Sequence, residues 1–180
     1  QDPVILDYAY NIRSAGKMLL SIINDILDFS KIESGKMDII PADYSLATMI
    51  NDINNMISIK AKEKDISFRM RVEPTLPSVL YGDEVRLKQI IINILSNAVK
   101  YTEKGGVIML MDAVSRSDED IEIKVTVKDS GIGMRQEEMS KLFTAFERLD
   151  GGRNRHVEGT GLGMSIVVRL LELMGSKLEV

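Results

Sequence analysis

From Ile5 onward the apolar residues Ile5, Tyr8, Ile12, Ala15, Leu19, Ile22, Ile26 and Phe29 recur at alternating spacings of three and four, the a and d positions of a heptad seam. A helix of that length must have its seam covered. Ile23 and Leu27 widen the stripe beyond a two-stranded seam, which suits a helical bundle better than an isolated coiled coil, and Gly16 is tolerated within it at some cost. The stripe ends near Ile32, and Ser34-Gly35 followed by Pro41 marks a break, so the first part ends within residues 34–41. At 180 residues the chain has room for one full domain beside this appendage.

The second part mixes two periodicities. Residues 46–62 carry apolar side chains at helical spacing, and Ile66, Phe68, Met70 and Val72 then alternate with polar residues as in a strand with one buried face, ended by Pro74 and Pro77. Asp83 is placed to cap a helix running to about Lys100, and Gly105-Gly106 turns the chain into a strand over 107–113. A second strand alternates over 121–128, and the charged run 115–120 between the two reads as a solvated hairpin loop. A short helix near 136–142, an irregular segment to Gly159, a helix over 162–174 and a final strand opening at Lys177 complete the pattern. The chain stops inside that last strand, which implies truncation there. The class is α+β, with helices over one face of a mixed sheet.

Composition removes several function classes. Hydrophobic residues at 44% and charged residues at 28% describe an ordinary soluble domain, not a disordered one. With 23 Lys plus Arg against 27 Asp plus Glu, the net charge of −4 offers no global field for nucleic acid or an acidic membrane, so any anion must be bound locally. The absence of cysteine excludes disulfides and zinc-thiolate sites and fits a reducing compartment, with the cytoplasm as the default. Apolar runs such as 90–95 fall far short of the ~20 residues of a membrane span, so no membrane contact is expected from this piece, although a longer parent can be membrane-anchored.

Three short stretches carry chemistry. In residues 87–102, Asn93, Asn97 and Lys100 fall at i, i+4 and i+7 on one helical stripe, opposite Ile90, Ile91, Ile94, Leu95 and Ala98. Alone, the stretch also reads as an amphipathic helix with solvated amides. Asn is mildly unfavourable inside a helix, however, and two amide oxygens with phosphate oxygens complete a magnesium shell, while Lys100 neutralises phosphate charge. Asp129-Ser-Gly-Ile-Gly133 follows the alternating strand; it reads either as a tight turn or as a carboxylate accepting from an exocyclic amine such as adenine's, with Gly131 and Gly133 permitting a close backbone path. Gly159-Thr-Gly-Leu-Gly163 precedes an apolar helical pattern, either a flexible helix entry or a place where free amides meet a phosphate. It is neither a Walker loop nor a dinucleotide fingerprint.

Between the last two stretches, Phe143 and Phe146 precede Arg148, the pair Gly151-Gly152, Arg153 and Arg155. Paired glycines and three cations describe a lid over phosphates as well as a loop that is basic by chance. His156, the only histidine, lies among them without a helical scaffold and reads as an incidental lid residue.

In this order and at these separations the stretches resemble the catalytic, ATP-binding domain of sensor histidine kinases, within the superfamily that includes gyrase-type topoisomerases, ATP-driven chaperones and mismatch-repair ATPases. The resemblance covers about residues 42–180. Asn93, Asn97, Lys100 and Tyr101 match the family's N box, Asp129, Gly131 and Gly133 its first glycine box, Phe143 and Phe146 its F box, and Gly159, Gly161 and Gly163 its second glycine box. The resemblance implies an α+β two-layer sandwich, a mixed sheet covered by helices on one face with an ATP lid, preceded by the long N-terminal helix. It implies ATP and Mg2+ as ligands, the ion on Asn93 and Asn97, and Asp129 reading adenine N6. Ile132, Thr160 and Leu162 would line the glycine boxes, and Arg148 would lie near the terminal phosphate, with Asn93, Lys100 and Arg148 carrying catalysis.

Residues 24–33 look like the second helix of the dimerisation and phosphoacceptor hairpin. That assigns 1–38 to the hairpin, its first helix absent, and 42–180 to the catalytic domain. No residue matches the acceptor histidine, so the chain is expected to begin after it and to bind magnesium-ATP without labelling itself. The implied partners are a phosphoacceptor hairpin helix of the same or a paired chain, a response-regulator receiver domain and, in the full-length protein, a second copy.

Three other readings compete. Superfamily ATPases that hydrolyse ATP carry a Glu four residues before the magnesium Asn, where this chain has Asn93; an amide takes no proton, which favours transfer over hydrolysis. Serine kinases acting on anti-sigma antagonists share the boxes but lack the long preceding helix. An inactive nucleotide-binding scaffold is opposed by the intact Asn, Asp and Gly positions.

Overall fold

A computed structural model describes residues 3–117, 120–135 and 161–180. Helix α1 spans Pro3–Glu33. It ends where Ser34-Gly35 predicts, because Gly35 adopts φ +64° and the chain folds back: the Gly35 amide donates to Ile32 O at 3.0 Å and the Lys36 amide to Lys31 O at 2.8 Å. Most of its stripe stays open within this chain, with Ile5 65% and Ile12 73% exposed. Among the described residues, its last turns are covered, through Phe29 and Ile32. No helix among the described residues is long and apolar enough to cross a membrane.

Strand β1 (Ala42–Ser45) leads into α2 (Leu46–Glu63), whose N-cap Ser45 accepts from the Thr48 amide at 3.3 Å. Then follow β2 (Ser67–Val72), β3 (Val79–Gly82), α3 (Glu84–Tyr101), β4 (Gly106–Arg116), β5 (Ile121–Asp129) and α4 (Gly163–Leu173). The central sheet has the order β2-β4-β5, with β2 parallel to β4 and β4 antiparallel to β5. Parallel neighbours need a long crossover, and β3 with α3 supplies it. The ladder β1-β3 is antiparallel and separate. The sequence pattern does not announce it, since its four-residue strands are mostly exposed and lack a clean alternation.

One face of the central sheet is covered. Met49, Ile53, Ile57 and Ala61 of α2, each one helical turn apart, pack with Ile91, Leu95, Ala98 and Val99 of α3 over Val107, Met109 and Met111 of β4. Phe68, Met70 and Val72 join from β2 and Val125 and Val127 from β5. The other face shows Arg69, Arg71, Lys124 and Lys128 to solvent. Burying each of these aliphatic side chains contributes about 1.5–3 kcal/mol. This is the expected α+β arrangement of a mixed sheet with helices on one face.

A second cluster holds Met37, Ile90, Leu162, Ile166, Val167 and Leu170, with Phe29, Ile32 and Ile94 against it. Helix α3 therefore buries two apolar faces, one in each cluster, where the sequence suggests a single packed side. The strand expected to open at Lys177 does not form: no ladder includes residues 176–180. Instead Leu178 packs on the second cluster and Lys177 pairs with Glu179 at 2.8 Å. The expected helix at 136–142 lies outside the described residues.

Candidate nucleotide site

Helix α3 starts under tight control. Asp83 caps it, Oδ1 accepting from the Arg86 amide at 3.0 Å, while Oδ2 accepts from the Ile40 amide at 2.9 Å and so ties down the segment leaving α1. Arg86 and Gln89 both donate to Asp28 Oδ2 of α1, at 3.5 and 2.8 Å. Lys88 pairs with Asp52 of α2 at 2.8 Å and with Glu84 at 3.1 Å. The hydrogen bond that Lys88 donates to Asp52 is the main reason its ammonium titrates above its ordinary value.

Further along the same helix the polar stripe changes character. Asn93 and Asn97 are partly buried, and among the described residues neither side chain has a hydrogen-bond partner. Lys100 sits over the Tyr101 ring, its Nζ 4.9 Å from the centroid. On the face toward α2, Ser96 accepts from Lys60 at 2.9 Å; burial pulls the Lys60 ammonium down, opposed by Glu63.

The Asp129 loop docks on the end of this helix. Asp129 closes β5 opposite Val107, and its Oδ1 accepts from the Gly131 amide at 2.9 Å. Its side chain is otherwise exposed. Any Cβ at Gly131 would come within 2.5 Å of Tyr101 O and 2.8 Å of Asp129 Oδ1, so only glycine lets the loop lie there. The Ile132 amide then donates to Tyr101 O at 3.3 Å. Close backbone approach at Gly131 thus serves the protein's own helix, where the sequence alone suggests a ligand; Gly133, at φ +65°, has open space around it. Ser130 fastens the loop from behind, accepting from the Gly106 amide and donating to Lys104 O, both at 2.9 Å.

The third stretch arrives beside Asn93. Gly161 has φ +74°, Leu162 is buried in the second cluster, and Gly163 begins α4 with Asn93 Cγ and Oδ1 3.8 Å from where its Cβ would be. The N-cap of α4, Leu162, makes no side-chain capping hydrogen bond. Both α2 and α3 carry a side-chain cap; a helix start without one has first-turn amides and a positive dipole end of the kind that suits an anion.

The fold therefore gathers Asn93, Asn97, Lys100 and Tyr101, then Asp129, Gly131, Ile132 and Gly133, then Gly161, Leu162 and Gly163 around the outer half of α3. Phe143, Phe146, Arg148, Arg153, Arg155, His156, Gly159 and Thr160 lie outside the described residues. Among the described residues no three His, Cys, Asp or Glu side chains cluster as metal ligands. Two amide oxygens one turn apart, without partners among the described residues, fit an ion that takes oxygen ligands and keeps water and phosphate in its shell. A cleft of about 610 Å³ lies instead between α1 and α3, lined by Asn24, Asp28, Arg86 and Gln89 among others, and does not touch the glycines. Two contacts had no local signal in the sequence: Ser130's clasp on β4, and Lys64, whose Nζ reaches Val99 O and Lys100 O at 2.9 and 2.7 Å. Both span 24 residues or more.

Residues 82–180 match the family described as "Histidine kinase-, DNA gyrase B-, and HSP90-like ATPase". Hybrid signal transduction histidine kinase B of Dictyostelium discoideum is 41% identical over 94% of the chain and 9% of its own length. The signal transduction histidine-protein kinase BarA of Escherichia coli is 33% identical over 98% of the chain and 19% of its own length. The chain thus spans less than a quarter of these relatives. The structure of full-length ShkA in complex with AMPPNP matches with a TM-score of 0.73 at 32% identity, over 94% of this chain and 34% of that one. The histidine kinase AdeS of Acinetobacter baumannii shares the fold, with a TM-score of 0.68 at 17% identity over 96% of this chain and 74% of that one.

Proposed function

Since the chain belongs to the histidine kinase-, DNA gyrase B- and HSP90-like ATPase family, and is the ATP-binding catalytic region of a sensor histidine kinase, we propose that in its parent it transfers the ATP γ-phosphoryl group to a histidine on a helical hairpin. Relay to an Asp on a response-regulator receiver follows. Residues 1–38 are then the second hairpin helix, with its open stripe facing the hairpin's other helix and a second copy, and 42–180 the donor domain.

The roles follow from the side chains. The free Asp129 oxygen accepts from the adenine amine, and Tyr101 and Ile132 flank the base. Asn93 and Asn97 would hold Mg2+, which screens phosphate charge when bound. Lys100 and the first-turn amides of α4, with Gly161, Leu162 and Gly163, hold phosphate oxygens. Arg148, Gly159 and Thr160 enter through the family resemblance. Positioning and charge neutralisation supply the catalysis. Asn at position 93 provides no base for an attacking water, which opposes the reading as a hydrolysing ATPase.

The observation that carries this proposal is the pair Asn93 and Asn97, without side-chain hydrogen-bond partners among the described residues and beside Gly163 at the start of α4. Calorimetric titration with ATP and GTP tests it. ATP binding that tightens with magnesium, and GTP binding at least about tenfold weaker, is the expected result. Equal affinity for both nucleotides would remove Asp129 from its role.

A further inference from the structure

Four carbonyls at a helix C-terminus lack intrahelical partners. In α3 all four are taken. Ala98 O accepts from Thr102 Oγ1 at 2.7 Å, Val99 O and Lys100 O from Lys64 Nζ at 2.9 and 2.7 Å, and Tyr101 O from the Ile132 amide at 3.3 Å. The first donor is local to α3. The last belongs to the loop that carries Asp129. Lys64 alone comes from another helix, as the residue that closes α2.

The loop has little freedom to follow if that helix end moves. A Cβ at Gly131 would already be 2.5 Å from Tyr101 O, so the loop rests on the carbonyl itself. The C-terminal end of a helix also carries partial negative charge, which opposes a bound polyphosphate, and an ammonium on its carbonyls offsets that charge. We propose that Lys64 is a positioning residue of the nucleotide site: from the back of α3 it fixes the carbonyl end against which residues 129–133 dock, and thereby sets the adenine-reading carboxylate. This rests on the ATP reading above.

The test compares Lys64→Met, which keeps the stem but removes donors and charge, with Lys64→Arg and with the control Lys62→Met. ATP affinity is measured by calorimetry with magnesium and with EDTA, and amide exchange is followed at Ile132, Met109 and Val125. Lys64→Met is expected to weaken ATP about fivefold in both buffers, with faster exchange at Ile132 but not at Met109 or Val125, which lie within the β4-β5 ladder. Lys64→Arg restores affinity to within about twofold, and Lys62→Met leaves it unchanged. Wild-type affinity in Lys64→Met overturns the proposal while leaving the ATP reading intact. So does a loss accompanied by faster exchange at Met109 and Val125, because that describes general loosening of the fold. A wild-type chain that binds no ATP overturns both.

Discussion

In the first two turns of α3 Glu84, Arg86, Lys88 and Gln89 all find protein partners, on α1, on α2 or within the helix. Two turns later Asn93 and Asn97, on the same helix and similarly half-buried, have none among the described residues. Asn lowers helix stability because its side chain competes for backbone hydrogen bonds, and a half-buried amide without a partner adds a desolvation cost. The first region uses polarity to build the molecule. The second accepts a cost to stability that a ligand would offset.

That contrast breaks or sharpens under substitution. The largest expected effect is on binding: Asn93→Ala with Asn97→Ala should abolish the magnesium-dependent tightening of ATP, about 100-fold or about 2.7 kcal/mol, while lowering thermal stability by less than about 0.5 kcal/mol. Calorimetry with and without magnesium, beside denaturant unfolding, checks both halves. Unfolding stability that drops by more than the binding energy would make the two regions alike.

The reverse pattern is expected at the helix start. Asp28→Ala removes the acceptor of the part-buried Gln89 amide and one of the two acceptors of Arg86, and should lower unfolding stability by about 1–2 kcal/mol with ATP affinity unchanged within about twofold. Asp83→Ala removes a cap and the hold on Ile40, at about 1 kcal/mol, again without a binding effect. Weaker ATP binding in either variant would show that the two ends are coupled.

The smallest effect is on pH dependence. Asp52 holds the Lys88 ammonium above its ordinary 10.5, so the folded state binds that proton more tightly than the unfolded chain. The stability this contributes is complete below the unfolded value and is lost as pH rises through the folded one. Between about pH 9 and about pH 11 the wild type should lose slightly more stability than Lys88→Met. Identical slopes would mean that the pair is solvated.

Local signals carried much of this architecture. The Ser34-Gly35 stop, the Asp83 cap and the alternation in β2 and β5 were legible because each depends on residues within a turn or two of one another. The family resemblance of the three stretches was legible because their order and spacing are specific. Contacts set by the tertiary fold were not. Lys64 lies 35 residues from the carbonyl it reaches at Val99, Gly131 is constrained by a helix end 30 positions earlier, and β1 pairs with β3 through strands too short to show a period. The apolar stripe of α3 looked single because a helical wheel shows which side is apolar, not that two clusters divide it. At Lys177 an alternating tail looked like a strand, but Leu178 packs on the second cluster instead, while Val180 stays exposed.

The central claim is that the outer half of α3 is a ligand site and the inner half a structural joint. The side-chain NH2 resonances of Asn93, Asn97 and Gln89, followed by NMR during titration with magnesium-ATP, test it directly. Saturable shifts at Asn93 and Asn97 with Gln89 unmoved are the predicted result. Shifts at Gln89 with both asparagines silent would contradict it.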